Sequence, residues 1–315
     1  MARILVTGAR GFVGPHLLRR LRAEGHDVWG TDRTDAAEAP QQRACDLTDA
    51  DAVRALCDDL RPDAVVHLAS VSSVGRSFDA PQLTLQNNLL AACNVFEALR
   101  GRPATRVLVV GSAEQYGRVQ PEDMPITESQ PFRPSSPYAV SKVAQEILAL
   151  QYHATYGLDV VLVRSFNHSG PGQSEDFVLP AVARQVAAAE AGHVPPWVRV
   201  GNLDVARDFL DVRDVVRAYA LLLEHGASGS AYNICRGRAE SLQALVQALL
   251  HKSRVPLRLE PDPARLRPSD LPVLIGDNRR LCAATGWQPE IPMETTLDDV
   301  LEDWRGRVRG GTPPP

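Results

Sequence analysis

Residues 7–14 read TGARGFVG and continue an apolar, β-branched run, RILV, at residues 3–6. Three glycines, Gly8, Gly11 and Gly14, therefore fall directly after a strand-like segment. They lead into PHLLRRLRAEG, whose apolar residues recur at helical spacing. Glycine at such a turn permits tight curvature and lets backbone approach a pyrophosphate closely, while the N-terminus of the following helix faces the negative charge. The backbone of Gly8, Gly11, Phe12, Val13 and Gly14 is thus the expected dinucleotide cradle. Asp32 closes the next strand-like run 18 residues after Gly14, the context the glycine pattern needs. Its carboxylate suits the ribose hydroxyls of the adenosine and repels a 2′-phosphate, which favours NADH. Arg33 beside it and Arg10 in the glycine loop could instead clamp that phosphate, so NADPH stays open.

Beyond this stretch, strand-like runs (DVWGT, AVVHLA, RVLVV, DVVLVRSF) alternate with longer helical ones such as LTLQNNLLAACNVFEALRG. Such alternation implies a parallel sheet covered on both faces. The expected fold class is α/β, a Rossmann-type doubly wound sheet with a smaller, discontinuous C-terminal substrate-binding domain. SFNHSGPGQSEDFVLP reads as a turn-rich loop and GHVPPWVRVGN as a proline-broken strand region. The expected boundaries are 1–168 and 203–236 for the NAD(P)-binding part, and 169–202 and 237–315 for the smaller, substrate-binding part. The tail from about residue 309, ending TPPP, reads as disordered.

A chain of 315 residues with 44% hydrophobic and 23% charged residues can bury a large core. Its net charge of −4, with Lys and Arg scattered among acids, argues against nucleic acid as a partner. No segment approaches the ~18 apolar residues of a membrane span. ARILVTG already reads as a core strand and leaves no room for a signal peptide, so the expected compartment is the cytoplasm. Five cysteines, Cys45, Cys57, Cys93, Cys235 and Cys282, lie far apart without a CxxC pair and read as free thiols. No metal site is expected.

The chemistry sits in two further stretches. GSAEQYG (111–117) ends the run RVLVV and offers Ser112 and Glu114 around Ala113. SSPYAVSKVAQEILALQYHATYG has Ser136 as a helix cap, Pro137 at the first helical position and Gly157 at the end. Tyr138 and Lys142, four residues apart, share a helical face. Tyrosine ordinarily titrates near pH ~10. A neighbouring ammonium is expected to favour the phenolate and lower that value, so that Tyr138 trades a proton with a substrate alcohol or ketone.

Together these motifs resemble the extended short-chain dehydrogenase/reductases, the branch that acts on nucleotide sugars. The likeness runs through TGARGFVG, CDLTD, VVHLAS, QNNLLAACNVFEAL, GSAEQYG, YAVSK, RSFNHSGPGQ, ARDFLDVRDVVRAY and RPSDLPVLIGDNRRLCAATGWQPE. The resemblance implies that Asp46 and Leu47 contact adenine and that Leu68, Ala69 and Ser70 line the nicotinamide side. It makes Ser112 the partner of the reacting oxygen, Tyr138 the acid–base, and Lys142 also a holder of the nicotinamide ribose. Asn167, Arg207 and Arg267 match positions that grip the sugar nucleotide, mainly its diphosphate, and planar guanidinium groups suit that charge. His168 either faces the sugar or is an ordinary loop histidine. Family members commonly dimerise through the two helices noted above, so a homodimer joined by a four-helix bundle is implied. RPSDLPVLIGDNRRL followed by TGW resembles the GDP-sugar members most.

Within that branch, a 4,6-dehydratase needs a base for the C5 proton and an acid for the departing C6 hydroxyl, drawn from two adjacent residues after the serine or threonine. Glu114 occupies the base position, but Ala113 has no proton to give, and a missing general acid costs ~10²–10⁴ in rate. Ketone reduction needs only Ser112, Tyr138, Lys142 and a reduced cofactor. The expected activity is therefore NAD(P)H-dependent reduction of the 4-keto group of GDP-4-keto-6-deoxy-D-mannose to GDP-D-rhamnose or its C4 epimer, leaving Glu114 without a defined role. The alternatives are an NAD-dependent nucleotide-sugar 4,6-dehydratase or 4-epimerase and, more distantly, a non-catalytic nucleotide-sensing protein on the same fold.

Overall fold

The computed structural model describes residues 1–33, 41–265 and 271–311. The first half alternates strand and helix: β1 (Arg3–Thr7), α1 (Val13–Ala23), β2 (Asp27–Asp32), β3 (Gln42–Ala44), α2 (Ala50–Leu60) and β4 (Ala64–His67). It continues with α3 (Val74–Asp79), α4 (Pro81–Leu99), β5 (Arg106–Ser112), α5 (Pro137–Tyr156) and β6 (Asp159–Ser165). The second half is less regular. It holds β7 (Asn167–Ser169), α6 (Val178–Glu190), β8 (Trp197–Val200), β9 (Ala206–Arg207), β10 (Phe209–Asp211), α7 (Val212–His225) and β11 (Ala231–Ile234). It ends with β12 (Glu240–Ser241), α8 (Leu242–His251), β13 (Arg258–Pro261), β14 (Val273–Leu274), α9 (Arg279–Thr285) and α10 (Met293–Arg309).

Seven parallel strands form one sheet in the order β11-β6-β5-β4-β1-β2-β3. The chain order reverses between β1 and β4, the switch point where doubly wound sheets open a ligand crevice at their carboxyl ends. Period-two alternation explains why these short strands are apolar throughout. Ile4, Val6, Val66, Leu108, Val161 and Val163 point to one face, where α1 and α7 cover them with Leu17, Leu21, Val215, Tyr219 and Leu222. Leu5, Val65, Val107, Val109, Val160 and Leu162 point to the other, against Val53 and Leu56 of α2, Val95 and Phe96 of α4, and Ala149 of α5. Trp287 and Leu281 reach back from the C-terminal part into the first of these layers.

A separate apolar cluster joins α6, β8, α8 and α10 through Leu179, Val182, Val186, Val198, Leu245, Val246, Leu297 and Trp304. The RSFNHSGPGQ segment differs from the expected loop: it contains β7, which pairs in parallel with β10 through Asn167–Phe209, His168–Leu210 and Ser169–Asp211. A three-residue strand whose partner lies some forty positions onward leaves no local periodicity to read. At the start of the expected tail, α10 runs to Arg309, whose Nε donates to the Arg305 carbonyl at 3.1 Å. Residues 312–315 lie outside the described residues.

Candidate active site

The glycine loop closes over the carboxyl end of β1. Gly8 takes a φ of +66°, and a Cβ there would stand 2.8 Å from the Ala69 nitrogen, so β1 and the segment after β4 meet backbone to backbone. A Cβ on Gly14 would lie 2.3 Å from the Ala9 carbonyl oxygen, so only glycine lets α1 begin this close to the loop. Phe12, at the N-cap of α1, offers no side-chain cap, and the first turn carries no acidic residue. Uncapped N–H groups without a competing carboxylate fit a pyrophosphate. At the end of β2, Asp32 accepts the backbone N–H of Arg10 at 3.3 Å and of Arg33 at 2.8 Å, which fixes its carboxylate beside the loop. Asp46 accepts both the N–H (2.9 Å) and the hydroxyl (2.8 Å) of Thr48, and these bonds hold its carboxyl below the usual range.

Gly8, Gly11, Phe12, Gly14, Asp32, Arg33 and Asp46 line one cleft of about 1140 Å³ at the switch point, together with Val13, Leu47, Leu68, Ala69 and Ser70. The same cleft is lined by Ser112, Ala113, Glu114, Tyr138 and Lys142, and by Asn167, His168 and Arg207. Arg267 lies outside the described residues. The sites expected for dinucleotide, chemistry and sugar nucleotide are therefore continuous.

Ser136 caps α5 by accepting the Ala139 N–H at 3.1 Å, and Gly157 ends the helix in the left-handed conformation. The cap places Tyr138 in the first turn, beside the end of β5. There the Ser112 hydroxyl faces the Tyr138 phenol, while the Glu114 N–H donates to Ser112 Oγ at 3.2 Å. Lys142 is 2% exposed and donates through Nζ to the Val110 carbonyl (2.7 Å) and to Gln145 Oε1 (3.1 Å).

The expected electrostatics of this pair are corrected by the structure. Burial pushes the Tyr138 phenol up to about 12; the Ser112 hydrogen bond opposes the rise and the Glu114 charge adds to it. Burial likewise brings Lys142 down to about 7. Its Nζ stands 6.0 Å from the centre of the Tyr138 ring, with Val110 and Gln145 as its hydrogen-bond partners. Desolvation thus outweighs the attraction that the four-residue spacing suggested. A neutral phenol and a readily deprotonated amine suit proton donation to a developing alkoxide.

Across the cleft, His168 lies nearly parallel to the Phe12 ring at 5.8 Å between centroids. Its Nδ1–H donates to the Phe166 carbonyl at 2.9 Å, which leaves Nε2 as the acceptor. Arg207 Nη1 donates to the Ala206 and Leu271 carbonyls at 2.9 and 2.7 Å, fixing the root of the guanidinium in the cleft wall. The loop bearing Pro171 and Gly172 is held from two sides. His16 Nε2–H donates to the Pro171 carbonyl at 2.8 Å, and the Gly172 N–H donates to Asp303 of α10 at 3.0 Å.

Sequence reasoning missed several lining residues, among them Asn87, Arg118, Arg199 and Tyr219. Tyr219 is buried on α7 with its hydroxyl 2.8 Å from Ser165 Oγ. It falls among the apolar residues of a helix that reads as a plain sheet cover. Arg199 flanks the VGNLDVARD stretch, which is the one signal that could have found it.

A family model for NAD-dependent epimerases and dehydratases matches residues 4–235. The chain belongs to the NAD-dependent epimerase/dehydratase family. As a member of that family it resembles GDP-6-deoxy-D-mannose reductase of Pseudomonas aeruginosa, with 41% identity over 308 residues and 98% of each chain covered. It is 31% identical to UDP-glucose 4-epimerase of Mycolicibacterium smegmatis, over 97% of this chain and 99% of that one. Among solved structures, RMD from Pseudomonas aeruginosa complexed with NADPH superposes with a TM-score of 0.88 at 39% identity, covering 98% of this chain and 100% of that chain.

Proposed function

We propose that this member of the epimerase/dehydratase family reduces the 4-keto group of GDP-4-keto-6-deoxy-D-mannose with NAD(P)H, giving GDP-D-rhamnose or its C4 epimer. The observation that carries this reading is Ala113. It is 4% exposed and packs among Tyr116, Val119, Ile126, Phe166 and Leu274, in the position where a dehydratase would need its acid. The site supplies one proton donor beside the serine, which is what reduction requires and what dehydration exceeds. The likeness to a GDP-6-deoxy-D-mannose reductase over nearly the whole chain supports the same substrate class.

In this reading the glycine loop, Asp32, Asp46, Leu47 and the 68–70 segment hold the dinucleotide, with Lys142 on the nicotinamide ribose. When bound, the reduced nicotinamide supplies the hydride. Ser112 Oγ hydrogen-bonds the ketone oxygen, and Tyr138 gives that oxygen its phenolic proton as negative charge develops. Lys142, with a value near 7, gains and loses its own proton at working pH without leaving the buried site. Asn167 and Arg207 hold the diphosphate, joined by Arg267, and His168 faces the sugar. Asp32 favours NADH, while Arg33 and Arg10 are the groups through which NADPH would bind.

The nucleotide-sugar part is assigned to residues 169–202 and 237–315, with α9 and Trp287 returning to the sheet of the NAD(P) part at 1–168 and 203–236. We assign the working form as a homodimer through α4 and α5, and the compartment as the cytoplasm, where reduced thiols and nicotinamide cofactors coexist. Among the described residues no helix is long and apolar enough to cross a membrane.

The deciding experiment follows NADH and NADPH oxidation with GDP-4-keto-6-deoxymannose and with GDP-mannose. Oxidation with the keto sugar alone is the expected result, and the two rates rank the cofactors. Conversion of GDP-mannose without added cofactor would replace the reading with a dehydratase or epimerase.

A further inference from the structure

The catalytic groups of the proposed reductase sit on two separate elements. Ser112 ends β5 and opens the short turn Ala113–Tyr116, whereas Tyr138 and Lys142 ride on α5. A phenol and a hydroxyl that must meet one substrate oxygen need those elements fixed to a fraction of an ångström. One buried chain of side chains spans them. The Ser112 N–H donates to Gln115 Oε1 at 2.7 Å, and Gln115 Nε2 donates to Glu146 Oε2 at 2.7 Å. Glu146 is on α5, one turn beyond Lys142 and two beyond Tyr138. Its carboxylate accepts Arg164 Nη2 at 2.6 Å and Nε at 3.1 Å.

Arg164, on the neighbouring strand β6, then reaches back to the turn. Its Nη1 donates to the Tyr116 hydroxyl and to the Glu128 carbonyl, both at 2.8 Å, and its guanidinium lies over the Phe132 ring at 4.6 Å. Gln115, Glu146 and Arg164 are 0, 3 and 5% exposed. A buried ion pair is a poor source of stability, because desolvating two charges offsets most of their attraction and well-packed apolar residues often do as well. What this pair provides that apolar packing does not is direction. Each carboxylate oxygen is spoken for, and the Gln115 amide is oriented from both ends, so the Ser112 turn has one registered position against α5.

We propose that Gln115, Glu146 and Arg164 form a positioning relay that sets the Ser112 hydroxyl against the Tyr138 phenol, with Gln115 as the link between the two elements. The residues touch neither substrate nor cofactor in this role; they act through Ser112. The inference rests on the reductase reading above.

Gln115→Met tests it first, since it keeps the side-chain volume, removes both amide bonds and leaves the Arg164–Glu146 pair intact. The expected result is a kcat lower by roughly 10- to 100-fold, the scale of small misplacements of catalytic groups. KM for the keto sugar and the fluorescence-measured affinity for NAD(P)H should stay within about twofold. The second test is an exchange of chemistry along the chain. Gln115→Glu sets two carboxylates face to face and should lose activity, while Gln115→Glu with Glu146→Gln restores one acid and one amide. That double variant should recover to within about threefold of wild type. An unchanged kcat in Gln115→Met, a KM that rises as kcat falls, or a double variant no better than the single would each overturn the relay. If the wild type does not turn over the keto sugar, the reductase reading falls, and amide exchange then judges the relay. The Ser112 N–H must exchange at least tenfold faster in Gln115→Met while the α5 amides stay protected, and equal exchange overturns the proposal.

Discussion

Tyr138 and Lys142 share one buried environment and respond to it in opposite directions, the phenol rising to about 12 and the amine falling to about 7. At neutral pH Tyr138 is therefore a loaded proton donor. Tyr138→Phe should lower kcat by ~10²–10⁴ while NAD(P)H binding, followed by fluorescence, is unchanged. For Lys142 the linkage has a definite sign. An unfolded chain holds the lysine proton to pH ~10.4, whereas the folded protein releases it near 7. Between these values the unfolded state binds more protons, so stability rises with pH; below 7 both states are charged and the burial cost is complete. Lys142→Met should accordingly raise the melting temperature most at pH 6, and the gain should shrink as pH climbs from 7 towards 10. A gain independent of pH would mean that the lysine is not desolvated. The Tyr–Lys spacing was legible in the sequence, but its electrostatics were not, because spacing reports a shared face and says nothing of how dry that face is.

The elements that carry function were mostly written in local chemistry. Ser136, Pro137 and Gly157 bracket α5 as their capping and helix-ending properties require. The glycine loop shows its purpose in close approaches that only a missing Cβ allows. Gly14→Ala would drive a methyl group to 2.3 Å from the Ala9 oxygen and force α1 away from the loop. Its expected effect is a loss of NAD(P)H affinity of tenfold or more by fluorescence titration, with the catalytic Ser112–Tyr138 contact undisturbed. By contrast, β7 and β10 are three residues each and exist only because distant segments pair. The turn signals of RSFNHSGPGQ were read correctly as turns, yet nothing in them announces a strand. Gln115 and Glu146 escaped notice for a related reason: each is an unremarkable polar residue until the fold brings them to 2.7 Å.

At the scale of the molecule, α4 and α5 pack on each other and still present apolar residues outward. Leu83 and Leu90, seven apart on α4, are 63 and 39% exposed, and Val140 and Ile147, seven apart on α5, are 42 and 55% exposed. Two such neighbouring stripes offer the surface from which the proposed four-helix interface would be built. Replacing Ile147 and Leu150 together by glutamate should convert a dimer mass into a monomer mass by light scattering at micromolar protein. An unchanged dimer would move the interface elsewhere. The parallel sheet covered on both faces followed from the alternation of runs, while the packing partners of the smaller part's helices did not, since periodicity marks a buried face but not what buries it.

The attachment of Gly172 to Asp303 carries a consequence for how the protein is made. Everything from the glycine loop to Lys142 leaves the ribosome early, yet the Pro171–Gly172 loop is anchored by Asp303 of α10, far later in the chain. At synthesis rates of 5–20 residues per second, about ten to thirty seconds separate the emergence of α5 from that of Asp303. A nascent chain can therefore assemble much of the sheet before the Pro171–Gly172 loop gains its tie to Asp303. A chain cut before Asp303 would keep only the His16 hold on the Pro171 carbonyl, so the two sides of this loop are secured at different times in synthesis.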